Sequence, residues 1–141
     1  MPIRKAKASW EGGLKNGNGR FEGEHGLAAA YSFSSRFENG AGSNPEELLA
    51  AAHAACYSMA LSAGLEKAGH TPGHIETQAE CTFEKQEAGF RVTAMKLICR
   101  ASASGIDAAQ FQKIAEATKE GCPISNALKA IPRIELDAKL V

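Results

Sequence analysis

The sequence carries no net charge: 16 Lys and Arg stand against 16 Asp and Glu over 141 residues, which argues against nucleic acid as a partner. It shows no secretory signal, because Met1-Pro2-Ile3-Arg4-Lys5-Ala6-Lys7 runs straight into alternating residues with no apolar segment between, so a cytoplasmic protein is expected. No internal repeat, linker or low-complexity tract breaks the chain, and one α+β domain over residues 1–141 is expected. The longest apolar run, Leu48 to Leu65, is interrupted by His53, Ser58 and Ser62 and is mostly alanine, which fits a buried helix better than a membrane span. What is present suffices for a core: 44% hydrophobic and 23% charged residues argue against disorder. A chain of this size buries roughly two-thirds of its unfolded surface, so neither a disulfide nor a metal is needed to hold it. Four cysteines in a reducing compartment must then be explained one by one, as packing or as chemistry.

Hydrophobic periodicity sets out the elements. Ala6, Ala8 and Trp10 alternate with Lys5, Lys7, Ser9 and Glu11, the period of a half-buried strand. Asn16-Gly17-Asn18-Gly19 then reads as a turn with cheap positive-φ residues, leading into a second strand from Arg20, and Ala28–Phe37 as a third. Ser43-Asn44-Pro45-Glu46-Glu47 is a helix start: Asn44 suits the N-cap, Pro45 the first helical position, the two acids the positive end of the dipole, and Glu47 resembles the far half of a capping box. The helix should run to about Ala68 and stop at Gly69; apolar residues cover every face, so it must be central or covered by a partner chain.

Ile75, Thr77, Ala79, Cys81 and Phe83 alternate with Glu76, Gln78, Glu80, Thr82 and Glu84, and a return strand changes parity between Val92 and Met95, which predicts a β-bulge near Ala94. Gly105-Ile106-Asp107 caps a helix ending at Gly121, Pro123 opens a short one, and a last strand follows Pro132. The architecture read from this order is antiparallel sheets packed on a long central apolar helix.

Cys81 and Cys99 fall on apolar strand phases, where a free thiol behaves as a small hydrophobe; a hairpin turning at Glu87 and Ala88 sets Cys81 opposite Ala94 and Cys99 opposite Glu76, so they do not pair. Cys122, between Gly121 and Pro123, lies where backbone N–H groups at a helix start lower a thiol pKa, though a turn cysteine with no role is the plain alternative. Cys56 sits among alanines, and burial alone would leave it inert. A reactive Cys56 needs a cation, for which His53 at i−3 and Arg36 are the candidates. His70 and His74 have i, i+4 spacing, but Pro72 between them breaks the helix a metal pair would need, so no metal site is expected.

The run Ser43-Asn44-Pro45-Glu46-Glu47-Leu48-Leu49-Ala50-Ala51-Ala52-His53-Ala54-Ala55-Cys56-Tyr57-Ser58-Met59-Ala60-Leu61-Ser62, followed much later by Gly121-Cys122-Pro123-Ile124-Ser125, resembles the OsmC/Ohr family of peroxide-reducing proteins. Arg36-Phe37-Glu38 before the helix and His53-Ala54-Ala55-Cys56 within it are similar to the osmotically inducible branch rather than the organic hydroperoxide resistance branch. The resemblance implies an intertwined homodimeric thiol peroxidase: Cys56 attacks the hydroperoxide, Cys122 resolves it, Arg36 and Glu46 fall on the family's arginine and glutamate, no cofactor or metal takes part, and a dithiol, including a lipoyl-bearing protein, supplies electrons. The chemistry suits these residues, since a sulfenic acid condenses with a second thiol, and a carboxylate fixes an arginine's planar fork.

Two other readings of the same residues stand beside it: a Cys56–His53 acyl-transfer enzyme, and a non-catalytic protein that binds apolar ligands or senses redox state. Under the peroxidase reading the site draws on two chains. The ten residues from Glu46 to Cys56 rise about 15 Å along a helix, beyond a Glu side chain's reach to its own Cys56. Glu46 of one subunit is therefore expected beside Cys56 of the other.

Overall fold

In the computed structural model, which describes residues 1–141, alternation becomes strand where expected: β1 (Ala6–Glu11), β2 (Asn18–Gly23) and β3 (Ala28–Tyr31) form an antiparallel sheet in the order β1-β2-β3. The third strand is shorter than expected. Ser32 ends it by capping a short helix, α1 (Phe33–Phe37), with the Ser35 N–H donating to Ser32 Oγ at 3.1 Å and the Ser32 N–H to Ser35 Oγ at 2.8 Å. That reciprocal serine pair satisfies two backbone or cap groups, and it overrides the strand propensity of the aromatic run. The Asn-Gly pairs also work differently from the expectation. Neither Gly17 nor Gly19 has positive φ; a Cβ on Gly19 would meet the Tyr31 and Trp10 rings at 2.6 and 2.7 Å, and one on Gly17 would clash with the Glu11 and Gly13 carbonyls. Glycine here makes room rather than a turn.

The long helix, α2 (Pro45–Lys67), starts as its sequence requires, with the Glu47 N–H donating to Asn44 Oδ1 at 2.8 Å. Only half of the capping box forms, because the Glu47 carboxylate takes the Ser43 hydroxyl instead of reaching back to the cap backbone. Gly69, at φ 88°, ends the helix in the left-handed region, and the His70 N–H returns to the Leu65 carbonyl at 2.9 Å.

The chain divides into two compact units, 1–47 and 48–141. The second holds a hydrophobic core in which Tyr57, Leu61 and Leu65 of α2 meet Leu97, Cys99 and Ala101 of β5 (Gly89–Ala103), Phe111 and Ala115 of α3 (Ala108–Gly121) and Ala138 of β6 (Arg133–Leu140). Each fully buried large side chain contributes about 1.5–3 kcal/mol. The Tyr57 hydroxyl donates to the Ala115 carbonyl at 3.0 Å, and Ser58 Oγ to Thr77 Oγ1 of β4 (Pro72–Gln86) at 2.8 Å, tying α2 to helix and sheet. At Gly64 a Cβ would meet Ile114 Cγ2 at 3.2 Å, so the glycine lets α2 and α3 approach closely.

β4 and β5 are antiparallel, with the expected bulge: Thr82 pairs with Ala94 but Phe83 with Val92, leaving Thr93 as the extra residue. The bulge shifts the register beyond it by one from the simple hairpin count, so Cys81 faces Met95 and Cys99 faces Thr77. The two thiols stay apart as expected. The final strand departs from the all-antiparallel expectation: β6 runs parallel to β5, Cys99 opposite Ala138, because the chain crosses back through α3 and α4 (Pro123–Ala127) before re-entering the sheet.

Candidate active site

Two short segments set the cysteine geometry. Cys56 projects from the middle of α2. Cys122 occupies the junction of α3 and α4, its N–H donating to the Thr118 carbonyl at 2.8 Å and its carbonyl accepting from the Asn126 N–H at 3.0 Å, so its backbone is fixed on both sides. The two sulfurs lie 3.0 Å apart, with the Cys122 thiol donating to Cys56, and all four cysteines are free thiols. Cys122 is fully buried, whereas Cys56 keeps part of its surface exposed.

Burial pushes the Cys56 thiol up and the contact with Cys122 adds to the rise, against a smaller lowering by the Ile124 N–H. Burial also raises Cys122, but the hydrogen bond with Cys56 and interactions with the Ser125 and Ile124 N–H groups and the Ser125 hydroxyl outweigh it and bring Cys122 below its ordinary value. Two thiols in such contact titrate as a pair, sharing one proton after the first is lost. Cys56 is the sulfur that reaches the surface, and since burial pushes its thiol up, a cation beside it would favour the thiolate.

The first unit holds one preorganised cation. Arg36, in the last turn of α1, donates from Nη2 to Glu46 Oε1 at 2.8 Å and from Nε to both carboxylate oxygens at 3.3 Å. Glu46 is buried at the first turn of α2, while the Arg36 side chain stays 36% exposed. The carboxylate thus fixes the fork. Phe37 lies under the guanidinium carbon, 5.4 Å from it to the ring centroid. Beside Arg36 opens a cavity of about 230 Å³ walled by Trp10, Leu14, Tyr31, Phe33 and Phe37.

All four expected site residues therefore fall into two pairs, Cys56 with Cys122 and Arg36 with Glu46. His53 does not join Cys56. Its Nε2 lies 2.8 Å from Ser125 Oγ, its Nδ1 has no hydrogen-bond partner, and burial holds its pKa below the ordinary value, so it is neither a base bonded to Cys56 nor a cation. Cys99 is fully buried and its thiol raised by that burial, and Cys81 lies on the half-covered face of β4. His70 and His74 find separate partners, the Ser104 carbonyl at 3.0 Å and Glu76 at 3.4 Å. Sequence reasoning missed Ser125 and the aromatic cavity. Ser125 is within reach as the residue three after Cys122 in a helix opened by Pro123; the cavity depends on α1, where the sequence pattern predicts strand.

Comparison with known proteins gives the family. Residues 38–137 match the family described as OsmC-like protein. The chain belongs to that family. Glu46, Cys56 and Cys122 lie inside the matched span and Arg36 two residues before it. Among OsmC-like relatives, the peroxiredoxin OsmC of Escherichia coli is 46% identical over 139 residues, covering 97% of this chain and 96% of that protein. The organic hydroperoxide resistance protein OhrB of Bacillus subtilis is 28% identical over 103 residues, covering 72% and 74%. A solved organic hydroperoxide resistance protein OsmC from Legionella pneumophila superposes with a TM-score of 0.71 at 22% identity, covering 99% of both chains, a likeness of fold. The higher identity lies with the osmotically inducible branch, as the His-Ala-Ala-Cys run suggested.

Proposed function

We infer that the protein is a thiol-dependent peroxidase that reduces organic hydroperoxides, with Cys56 as the attacking sulfur and Cys122 as the resolving one. The observation that carries this reading is the pair of free sulfurs 3.0 Å apart, one open to solvent and one buried. The Cys56 thiolate attacks the hydroperoxide: an S–O bond forms, the O–O bond breaks, and the departing oxygen takes a proton to leave as alcohol. Cys122 then attacks the sulfenic acid; the S–S bond forms, the S–O bond breaks, and hydroxide leaves with the Cys122 proton as water. A dithiol returns both sulfurs to thiols, and a lipoyl-bearing protein is the partner proposed for that step. Because a bonded pair of sulfurs sits about 2.05 Å apart, closing the disulfide takes about 1 Å of motion. The aromatic cavity beside Arg36 suits the apolar part of an organic hydroperoxide.

Arg36, oriented by Glu46, is the cation that draws charge onto Cys56 and steadies the departing oxygen. The helix rise between Glu46 and Cys56, about 15 Å, supports a homodimer in which each site takes its cysteines from one subunit and Glu46 from the other. The outward face of α2 supports it too: Ala51, Ala55 and Met59, four residues apart, are exposed, Met59 at 77%. One functional domain spanning both units of the chain then works only as a pair of chains. A reducing compartment, the cytoplasm, suits four free thiols.

The test is steady-state consumption of an organic hydroperoxide and of hydrogen peroxide with a small dithiol or lipoyl reductant. Cys56→Ser should reduce turnover to background. Cys122→Ser should consume about one equivalent and stall with Cys56 oxidised, as mass spectrometry reads. A Cys122→Ser protein that accumulates no oxidised Cys56 rejects the roles, and thioester hydrolysis without peroxide turnover would favour acyl transfer instead.

A further inference from the structure

His53 has no part in the steps above, yet it is fully buried and leaves Nδ1 without a partner. An orphaned buried acceptor or donor costs about 1–3 kcal/mol, and an aliphatic side chain of similar size would avoid that loss. What His53 gains is a partner on α4. His53 precedes Cys56 by three residues on α2, and Ser125 follows Cys122 by three on α4. The contacts Cys122–Cys56 at 3.0 Å and Ser125–His53 at 2.8 Å are thus two successive rungs between the same pair of helices, one turn apart.

These two rungs tie α4 and its N-cap residue Cys122 to α2, beside the contact of the Ile124 N–H with Cys56. With five residues, α4 is far too short to be stable by itself, so its position depends on such ties. Oxidation removes one of them: once Cys56 carries a hydroxyl, the thiol–sulfur hydrogen bond is replaced by the contact that must react. The second rung then has to keep Cys122 in register.

We propose that His53 and Ser125 are positioning residues that clamp the first turn of α4 onto α2, holding Cys122 against oxidised Cys56 so that the disulfide closes before a second peroxide arrives. The competing step is direct: a second hydroperoxide converts the sulfenic acid to sulfinic acid, forming a second S–O bond and releasing a second alcohol. The clamp decides which of the two wins. The interaction of the Ser125 hydroxyl with the Cys122 sulfur, which lowers that thiol's pKa, works in the same direction. Of the two neutral tautomers, the one with the proton on Nε2 donates to Ser125 Oγ and frees the serine proton to face the sulfur.

The inference rests on Cys56 being oxidised and Cys122 resolving it, and single-turnover measurements on the full-length protein separate the two claims. Cumene hydroperoxide serves as the probe. The rate of peroxide consumption reads the first step; the rate of Cys56–Cys122 bond formation and the sulfinic fraction of Cys56, by quenched-flow mass spectrometry, read the second. Ser125→Ala and His53→Leu should keep the first rate and slow bond formation on the order of 10- to 100-fold, the scale of a misplaced reacting group. The sulfinic fraction should rise in step with peroxide dose. Ser125→Thr and His53→Gln, which keep a hydroxyl and a donor, should restore bond formation. Wild-type rates and sulfinic fractions in Ser125→Ala and His53→Leu overturn the clamp, and so does an equal slowing of both steps, which marks a general loosening. Absence of any Cys56–Cys122 disulfide in the wild type would overturn the underlying assignment instead.

Discussion

The two units of the chain divide the work unequally. The first, 1–47, holds a fixed cation, Arg36 on Glu46, but Phe21 is its only buried hydrophobic residue; the second, 48–141, holds the Cys56–Cys122 pair and the rest of the buried apolar side chains. Charge is preorganised where there is little core, and the Cys56–Cys122 contact lies in the unit that holds the larger core. Burial pushes the Cys56 thiol up even though hydrogen bonds bring Cys122 down, so a cation beside Cys56 would favour its thiolate.

The strongest way to break the comparison is to split the site. Under the shared-site reading, Cys56→Ser and Glu46→Ala homodimers are each inactive, and a verified heterodimer of the two should recover one complete site, roughly half of the wild-type activity per dimer. Co-expression with two affinity tags and a hydroperoxide assay check it; a heterodimer without activity counts against a two-chain site. Arg36→Ala should lower kcat/KM by about 10²–10³-fold, the cost of removing a preorganised charge partner. Arg36→Lys should recover little of this, because a lysine ammonium cannot engage Glu46 through the same fork.

A second pair of variants separates core from interface on one helix. Leu61 is fully buried and Met59, two residues earlier, is 77% exposed. Leu61→Ala should destabilise the fold by about 2–5 kcal/mol in urea denaturation, whatever the protein concentration. Met59→Glu should change the fold of one chain by less than about 0.5 kcal/mol yet weaken self-association, read as a shift toward monomer in sedimentation. A Met59→Glu protein that stays fully dimeric would remove this face of α2 from the interface.

How much of this was legible in the sequence follows the same division. The second unit obeys periodicity: the strand phases of Ile75 to Phe83, the bulge by Ala94, the Asp107 cap and the Pro123 start all stand in the structure, because each reports a local rule. Even the cysteine contact was legible, although through the resemblance rather than through spacing, since 66 residues separate the partners. The first unit was harder. Phe33–Phe37 carries strand-like residues, and a Ser32–Ser35 cap that spans three positions decides for helix. Gly17 and Gly19 look like turn formers but answer to the Trp10 and Tyr31 side chains, which no local rule reveals. The parallel pairing of β6 was hidden for a like reason, as it depends on where α3 and α4 return the chain.

The smallest expected effect concerns His53 and pH. Burial depresses its pKa, so the folded chain keeps the ring neutral while the unfolded chain protonates it near pH 6.5. The sign follows from proton counting: between these two values the unfolded state binds the extra proton, so stability is full above the unfolded value and falls as pH drops toward the folded one. His25, His70 and His74 are all more exposed than His53, which leaves His53 as the buried imidazole in this window. Wild-type stability from urea denaturation should therefore decline from pH 7 to pH 5. His53→Gln, with no proton to gain there, should start less stable at pH 7 and show a shallower decline. Parallel pH profiles for the two proteins would mean that the buried ring is not the titrating group, whereas convergence toward low pH ties the cost of protonation to the same side chain that holds Ser125.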